Sequence, residues 1–133
     1  MELNKIIIAG SRIINNYNLV EQSIKESGFK IDEIVCGMAN GPDLLGKQYG
    51  IKNNIPIKEF PAQWDDLTQK PCIIRYGKWQ NKYNACAGYI RNEEMAKYST
   101  HLILIWDGKS KGSKSMLDLA KKYNLIIFEK IVK

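Results

Sequence analysis

Histidine and cysteine are scarce in this 133-residue sequence, which has one histidine, His101, and three cysteines. The cysteines Cys36, Cys72 and Cys86 lie far apart and form no CxxC pair. A zinc site of the usual Cys/His type cannot be assembled from these spacings, so we expect no metal and no cofactor. A Ser-His-Asp triad would depend entirely on His101, which lies at the mouth of an apolar strand and is interpreted as a strand-end residue.

Long hydrophobic runs are also missing. The longest, such as residues 6–9 and 102–106, have the length of strands and fall far short of the roughly 20 residues that a membrane span needs. Residues 1–5 lack the pattern of a signal peptide, because the apolar run that follows them ends at Ala9 before Gly10. We therefore expect a cytoplasmic protein without a membrane partner.

The composition that remains suits one ordinary domain spanning residues 1–133. Hydrophobic residues make up 44% of the chain and charged residues 26%, which favours a packed core and a solvated surface. The net charge of +6 favours anionic partners such as nucleotides, phosphates or nucleic acid.

Apolar runs alternate with amphipathic segments. The sequence predicts strands over residues 5–9, 33–36, 57–60, 102–106 and 125–131, and helices over 17–27, from 41 onward, over 90–98 and over 113–123. This alternation predicts an α/β protein, a Rossmann-like three-layer fold with a mostly parallel five-stranded sheet. The long connection over residues 61–87 suits the single long crossing of such a sheet. The expected strand order is 3-2-1-4-5, with a crevice where strands one and four diverge.

Three strands that should end at that crevice are followed by glycine and small polar residues. The loops are Gly10-Ser11-Arg12, residues 37–43 and residues 107–113. Glycine lets the backbone approach a ligand closely, and hydroxyls and free N–H groups at helix N-termini bind phosphate oxygens. One such loop alone is more typical of a tight turn, but three at one edge predict a phosphate-binding site.

Arg91 and Glu94 are three residues apart and share a face of the helix before the fourth strand. From this spacing alone, a surface ion pair is the preferred interpretation. The alternative is an arginine directed at a phosphate or a carboxylate, for which its planar fork is suited.

Five motifs occur in order along the chain, namely Ala9-Gly10-Ser11-Arg12, Gly37-x-Ala39-x-Gly41-x-Asp43, Phe60-Pro61-Ala62-x-Trp64, Ala87-Gly88-x-x-Arg91-Asn92-x-Glu94-Met95 and Trp106-Asp107-Gly108-x-Ser110-x-Gly112-Ser113. Together they resemble the YspA-like branch of the SLOG superfamily, which takes its name from the DNA-processing SMF proteins and the Lonely Guy enzymes. The resemblance extends from residue 6 to about residue 128.

The resemblance implies a Rossmann-like fold that senses or sequesters a nucleotide-derived small molecule, such as ADP-ribose, an NAD derivative or a nucleoside monophosphate. Related proteins occur in bacteria and their phages, so the expected location is the cytoplasm of a bacterium or of a phage-infected host. The residues expected to contact the ligand are Gly10, Ser11, Arg12, Gly37, Ala39, Gly41, Asp43, Arg91, Asn92, Asp107, Gly108, Ser110, Gly112 and Ser113. A homodimer or higher homo-oligomer is also expected.

Two other functions remain open. The Lonely Guy enzymes, which are phosphoribohydrolases, share the pattern matched here by Arg91, Met95 and Gly112-Ser113. Their glutamate position, however, falls on Met116, which cannot act as an acid or a base. A catalytic residue is therefore not assigned, and the candidates are Arg91 and Glu94. The third function is a nucleic-acid-binding module, indicated by the DNA-processing branch and the positive charge.

Residues 66–86 form a longer segment than this branch has at that place and are interpreted as an insertion. Aromatic and cationic side chains alternate within it, namely Arg75, Tyr76, Lys78, Trp79, Lys82 and Tyr83. Such side chains can stack on a base and contact phosphates. They can equally cover the edge of the core or form a subunit contact, because aromatic residues are enriched at interfaces.

Overall fold

Strands and helices alternate along the chain, which we describe over residues 3–132 from a computed structural model. The elements are β1 (Lys5–Gly10), α1 (Tyr17–Ser27), β2 (Glu33–Cys36), α2 (Pro42–Lys52), β3 (Ile57–Glu59), β4 (Ile74–Tyr76), β5 (Lys82–Asn84), α3 (Ala87–Tyr98), β6 (His101–Trp106), α4 (Lys111–Lys122) and β7 (Ile126–Ile131). A short 3-10 turn, Lys78–Gln80, joins β4 to β5.

The main sheet has five parallel strands in the order β3-β2-β1-β6-β7. The predicted α/β fold and its 3-2-1-4-5 order are therefore confirmed, since β6 and β7 are the fourth and fifth strands of this sheet. The chain steps outward from β1 to β3 and then crosses to the other side of β1. The carboxyl ends of β1 and β6 consequently diverge, as expected for the point where an open α/β sheet reverses direction.

Hydrophobic packing on both faces explains why the central strands are almost wholly apolar. Ile6 and Ile8 of β1 pack into a cluster with α1 and α2, whereas Ile7 and Ala9 pack with α3 and α4. Alternate side chains of a strand point to opposite faces, so one short run supplies both core layers. All residues of β6 are likewise buried.

Capping and turn residues set the limits of the helices on one face of the sheet. The Asn16 side chain accepts a hydrogen bond from the N–H of Leu19 at 3.1 Å, which caps α1, and Gly28 ends that helix with φ +69°. Pro42 occupies the first turn of α2, where its missing N–H has no cost.

Two helices begin earlier than the sequence predicts. Helix α3 starts at Ala87 rather than at residue 90, and α4 starts at Lys111 rather than at residue 113. The added first residues are 87–89 in α3 and 111–112 in α4, and the one large hydrophobic side chain among them, Tyr89, is exposed. Hydrophobic periodicity therefore does not reveal these first turns. In α3, the Asn84 side chain accepts a hydrogen bond from the N–H of Cys86 at 2.9 Å and so orders the chain just before the helix.

The segment over residues 66–86 contains an antiparallel hairpin, β4–β5, which is not predicted from the sequence. Asn84 is fully buried at its base. Its N–H donates to the carbonyl of Trp64 at 2.7 Å, and its side-chain amide lies 3.4 Å from the carbonyl oxygens of Asp66 and Pro71. One buried amide therefore ties the hairpin to the loop that precedes it.

No helix in the described part of the chain is long and apolar enough to span a bilayer.

Close packing of α2 on β1 predicts the effect of a single methyl group. A Cβ at Gly46 would lie 2.8 Å from both Cβ and Cγ2 of Ile8. Gly46→Ala should therefore lower the free energy of unfolding by about 1–3 kcal/mol through overpacking. Gly112→Ala is the matched control, because a Cβ there has no neighbour within 4 Å. Urea unfolding that finds the two variants equally stable would contradict the close packing.

Candidate functional site

A crevice of about 330 Å³ opens at the carboxyl ends of β1 and β6. It brings together most of the residues expected to contact a ligand, namely Gly10, Ser11, Arg12, Ala39, Asp43, Arg91, Asn92, Asp107, Ser110, Gly112 and Ser113. Its volume is at the lower end of the range for small-molecule sites. Loops from both halves of the sheet form its walls.

Three of the expected ligand-contacting glycines, Gly37, Gly41 and Gly108, do not line this crevice. Gly41 has φ +86°, and a Cβ there would lie 2.6 Å from the carbonyl oxygen of Ser11, so glycine allows two loops to pack closely. Gly108 is a turn residue with φ +79°. The carbonyl of Gly37 accepts a hydrogen bond from Nη1 of Arg91. Gly37 and Gly41 thus lie against residues that line the crevice, whereas Gly108 belongs to the turn before α4.

Ser11, Ser110 and Asp107 bind one another across the base of the crevice. The Oγ atoms of Ser11 and Ser110 are 2.7 Å apart, and the N–H of Asp107 donates to Ser11 Oγ at 3.1 Å. Oδ1 of Asp107 accepts the N–H groups of Lys109 and Ser110, both at 2.8 Å. These hydrogen bonds hold the pKa of Asp107 well below its usual value. The two hydroxyls expected to bind phosphate therefore hold the ends of β1 and β6 together.

The N-terminus of α4 supplies donors to the crevice. The side chain of its N-cap residue, Ser110, makes no capping bond to the helix. The first N–H groups of a helix have no acceptor within the helix, and the helix dipole makes this end positive. Gly112 and Ser113, in the first turn, line the crevice. An anion is the natural partner of such a helix end.

Arg91 reaches over the strand ends from the first turns of α3. Its Nη1 donates to the carbonyl of Gly37, and its Nε donates to Oδ1 of Asn92 at 2.9 Å. The Asp43 side chain, only 5% exposed, lies beside the guanidinium. The interpretation of Arg91 and Glu94 as an ion pair is wrong, because Glu94 is exposed and forms no salt bridge with Arg91. The guanidinium group instead donates hydrogen bonds to Gly37 and Asn92, and the buried carboxyl group of Asp43 lies near its charge without forming a salt bridge with it.

Burial raises the pKa of Asp43 to about 7, even though the nearby charge of Arg91 opposes the shift. Burial also lowers the pKa of Arg91. The negative charge of Asp43 raises this pKa, whereas the positive charge of Arg12 lowers it further. Two guanidinium groups thus repel each other at the crevice. An anion placed there would relieve this repulsion.

Met116 lines the crevice at the position where the resemblance to phosphoribohydrolases would require glutamate. It is 2% exposed and packs in the core cluster on the α3 and α4 side of the sheet. The carboxylates lining the crevice are Asp43 and Asp107. Over residues 3–132, no group of three or more His, Cys, Asp or Glu side chains is placed to hold a metal ion.

The apolar part of the crevice is not predicted from the sequence. Ala9, Ile13 and Met116 contribute to its lining, and Ile13 is 81% exposed. Ile13 follows Arg12 in the loop after β1, so its place in that loop was the available signal. Arg12 also borders a second, open groove of about 620 Å³ beside the hairpin.

The fold resembles that of a known DNA-processing protein. The crystal structure of DNA processing protein A (DprA) from Streptococcus pneumoniae matches 96% of this chain with a TM-score of 0.70 and 18% sequence identity. The match spans 50% of that chain. No protein-family profile and no curated protein sequence matches this chain. The likeness to DprA supports the Rossmann-like fold.

The raised pKa of Asp43 predicts a pH dependence of stability. Its ordinary value is 3.8, so the folded protein holds this proton more firmly than the unfolded chain. The stabilisation from Asp43 is therefore complete below pH about 4 and lost as the pH rises to about 7, with a slope of at most about 1.4 kcal/mol per pH unit. Asp43→Asn should remove this slope in urea unfolding measured across that range.

Asp118→Asn is the control for this experiment, because Asp118 is exposed on α4. This variant should keep the slope of the parent protein. If Asp43→Asn and the parent lose stability equally between these pH values, Asp43 does not hold its proton in the folded state.

Proposed function

We propose that the crevice binds the phosphate of a nucleotide-derived small molecule, which the protein senses or sequesters. One observation carries this proposal: Arg12, Arg91 and the N-terminus of α4 converge on a single crevice. Guanidinium groups form paired hydrogen bonds with phosphate oxygens, and helix N–H groups add further donors. Its position beyond the carboxyl ends of the strands also suits a nucleotide ligand.

The remaining lining suits the nucleoside part of such a ligand. Ala9, Ile13 and Met116 offer apolar surface to a base or a sugar face. Asn92 brings a side-chain amide, although its Oδ1 already accepts a hydrogen bond from Arg91. A phosphate and a nucleoside part are combined in ADP-ribose, in an NAD derivative and in a nucleoside monophosphate.

We further propose that the protein acts in the cytoplasm of a bacterium or of an infected host, as a homo-oligomer.

Hydrolysis of an N-glycosidic bond is a second candidate function, favoured by the pKa of Asp43. A carboxyl group with a pKa of about 7 can donate or accept a proton near neutral pH. Against this function, Met116 replaces the expected glutamate, and Glu94 is exposed outside the crevice. Release of a free base from AMP or NAD would favour hydrolysis, whereas binding without product favours sensing or sequestration.

Nucleic-acid binding is supported by the likeness to a DNA-processing protein and by the net charge of +6. Affinity for DNA that falls steeply with salt concentration would favour this function.

The direct test of the main proposal is mass spectrometry of the small molecules released when the purified protein is denatured. A nucleotide-derived compound is expected, and addition of that compound should raise the melting temperature of the protein.

A substitution at Gly112 is expected to weaken ligand binding while it leaves the stability of the protein nearly unchanged. Gly112→Val places a branched side chain in open space beside the helix N-terminus, because a Cβ there has no neighbour within 4 Å. It should reduce affinity for the released compound by about tenfold or more, since it blocks the approach of a phosphate. The free energy of unfolding should change by less than about 1 kcal/mol. If calorimetry finds parent affinity in this variant, the phosphate lies elsewhere.

Arg91 should contribute through both its charge and its shape. Arg91→Ala is expected to weaken binding by about 2 kcal/mol or more, the scale for losing a hydrogen bond to a charged group. Arg91→Lys should recover only part of this loss, because lysine lacks the two-pronged geometry.

The double variant Arg91→Ala with Asp43→Asn controls for the buried carboxyl group that Arg91→Ala leaves without its partner. It should be more stable than Arg91→Ala alone and bind equally weakly. Full affinity in the double variant would remove Arg91 from the ligand contacts.

A further inference from the structure

A space of about 300 Å³, lined in part by Arg12, Trp64 and Arg91, borders both the crevice and an open groove beside the hairpin. Arg12, Trp64, Arg75, Tyr83 and Ala85 line this groove, which has a volume of about 620 Å³. Arg12 also lines the crevice, so one side chain borders both spaces. A ligand whose phosphate lies near Arg12 therefore has a second space within reach, on the side away from α4.

The aromatic wall of the groove is held in place by backbone pairing. The rings of Trp64 and Tyr83 are 6.3 Å apart and inclined at 71°, which is an edge-to-face contact. Tyr83 is paired with Arg75 across the hairpin. The carbonyl of Trp64 accepts the N–H of buried Asn84 at 2.7 Å. Backbone hydrogen bonds thus hold the main chain of both aromatic residues, and their rings contact each other at the groove.

The groove combines exposed aromatic surface with uncompensated positive charge. Trp64 is 40% exposed, and Arg12 and Arg75 are exposed as well. Between residues 3 and 132, neither arginine forms a salt bridge. Aromatic rings next to arginines stack on the planar bases of nucleotides, while the charges attract the phosphates.

We propose that this groove is a second subsite, which holds the second heterocycle of a dinucleotide-like ligand whose phosphates lie in the crevice. This inference rests on the proposed function and narrows its ligand class. A nucleoside monophosphate would fill the crevice alone. A compound with a heterocycle at each end of a pyrophosphate would occupy both spaces, with its phosphates passing Arg12.

Three probes test this subsite: NADH, diadenosine diphosphate and ADP-ribose. All three carry two phosphates, but ADP-ribose lacks the second heterocycle. NADH and diadenosine diphosphate should bind more tightly than ADP-ribose by about fivefold or more, the lower end of the effect of stacking one base. Arg75→Ala and Tyr83→Ala should each remove most of this difference and leave the affinity for ADP-ribose unchanged. Arg75 is exposed, so its variant reports on binding even if Tyr83→Ala disturbs the hairpin.

Trp79→Ala is the matched control, because Trp79 is 92% exposed in the same hairpin and does not line the groove. It should bind all three probes as the parent does. Equal affinity of the parent for the three probes would overturn the subsite and leave the proposed function intact. Failure of all three to bind would overturn the subsite, and failure of AMP to bind as well would overturn the proposed function. The groove would be assigned to nucleic acid instead if a short single-stranded oligonucleotide binds the parent more tightly than NADH does and Arg75→Ala abolishes this binding.

Discussion

A buried aspartate from one face of the sheet and a half-buried arginine from the other lie near each other at the edge where the crevice opens. Asp43 belongs to α2 on one face, and Arg91 belongs to α3 on the other. The guanidinium reaches over the strand ends to the carbonyl of Gly37 and lies beside the carboxyl group. Removing Arg91 would leave the buried Asp43 without this nearby opposite charge, which is costly when the carboxyl group is ionised. The hydrogen bond from Arg91 to Gly37 therefore links α3 to the loop before α2 across the strand ends, and the charge of Asp43 lies near this link.

The carboxyl groups of this site are engaged by the protein itself, whereas Arg12 and the N-terminus of α4 face the ligand space. Oδ1 of Asp107 accepts hydrogen bonds from its own loop, and Asp43 is buried beside Arg91. The first turn of α4 receives no side-chain cap, and Arg12 is exposed at the rim. The crevice consequently presents donors and positive charge to a ligand. A site of this kind favours anion binding, whereas hydrolysis would require one of the engaged carboxyl groups to act on the substrate.

Much of the fold is predictable from the sequence, because the alternation of apolar runs and amphipathic helices sets both the class and the strand order. Glycine and polar residues at the strand ends also indicate the edge where the crevice lies. The partner of Arg91 is not predictable from helix spacing, since Asp43 approaches it only through the tertiary fold. The hairpin escapes prediction because β4 and β5 are three residues each and largely exposed. The buried amide of Asn84 stabilises it, and a single asparagine gives no periodic signal.

Nuclear magnetic resonance of the backbone amides tests the central claim most directly. On addition of a nucleotide with a pyrophosphate group, the largest chemical-shift changes should occur at the N–H groups of Gly112 and Ser113 in the first turn of α4. The side-chain Nε–H of Arg91 should shift with them, at the same ligand concentration. Amide shifts confined to the hairpin or to α1, with the first turn of α4 unchanged, would contradict the assignment of the crevice as the phosphate site.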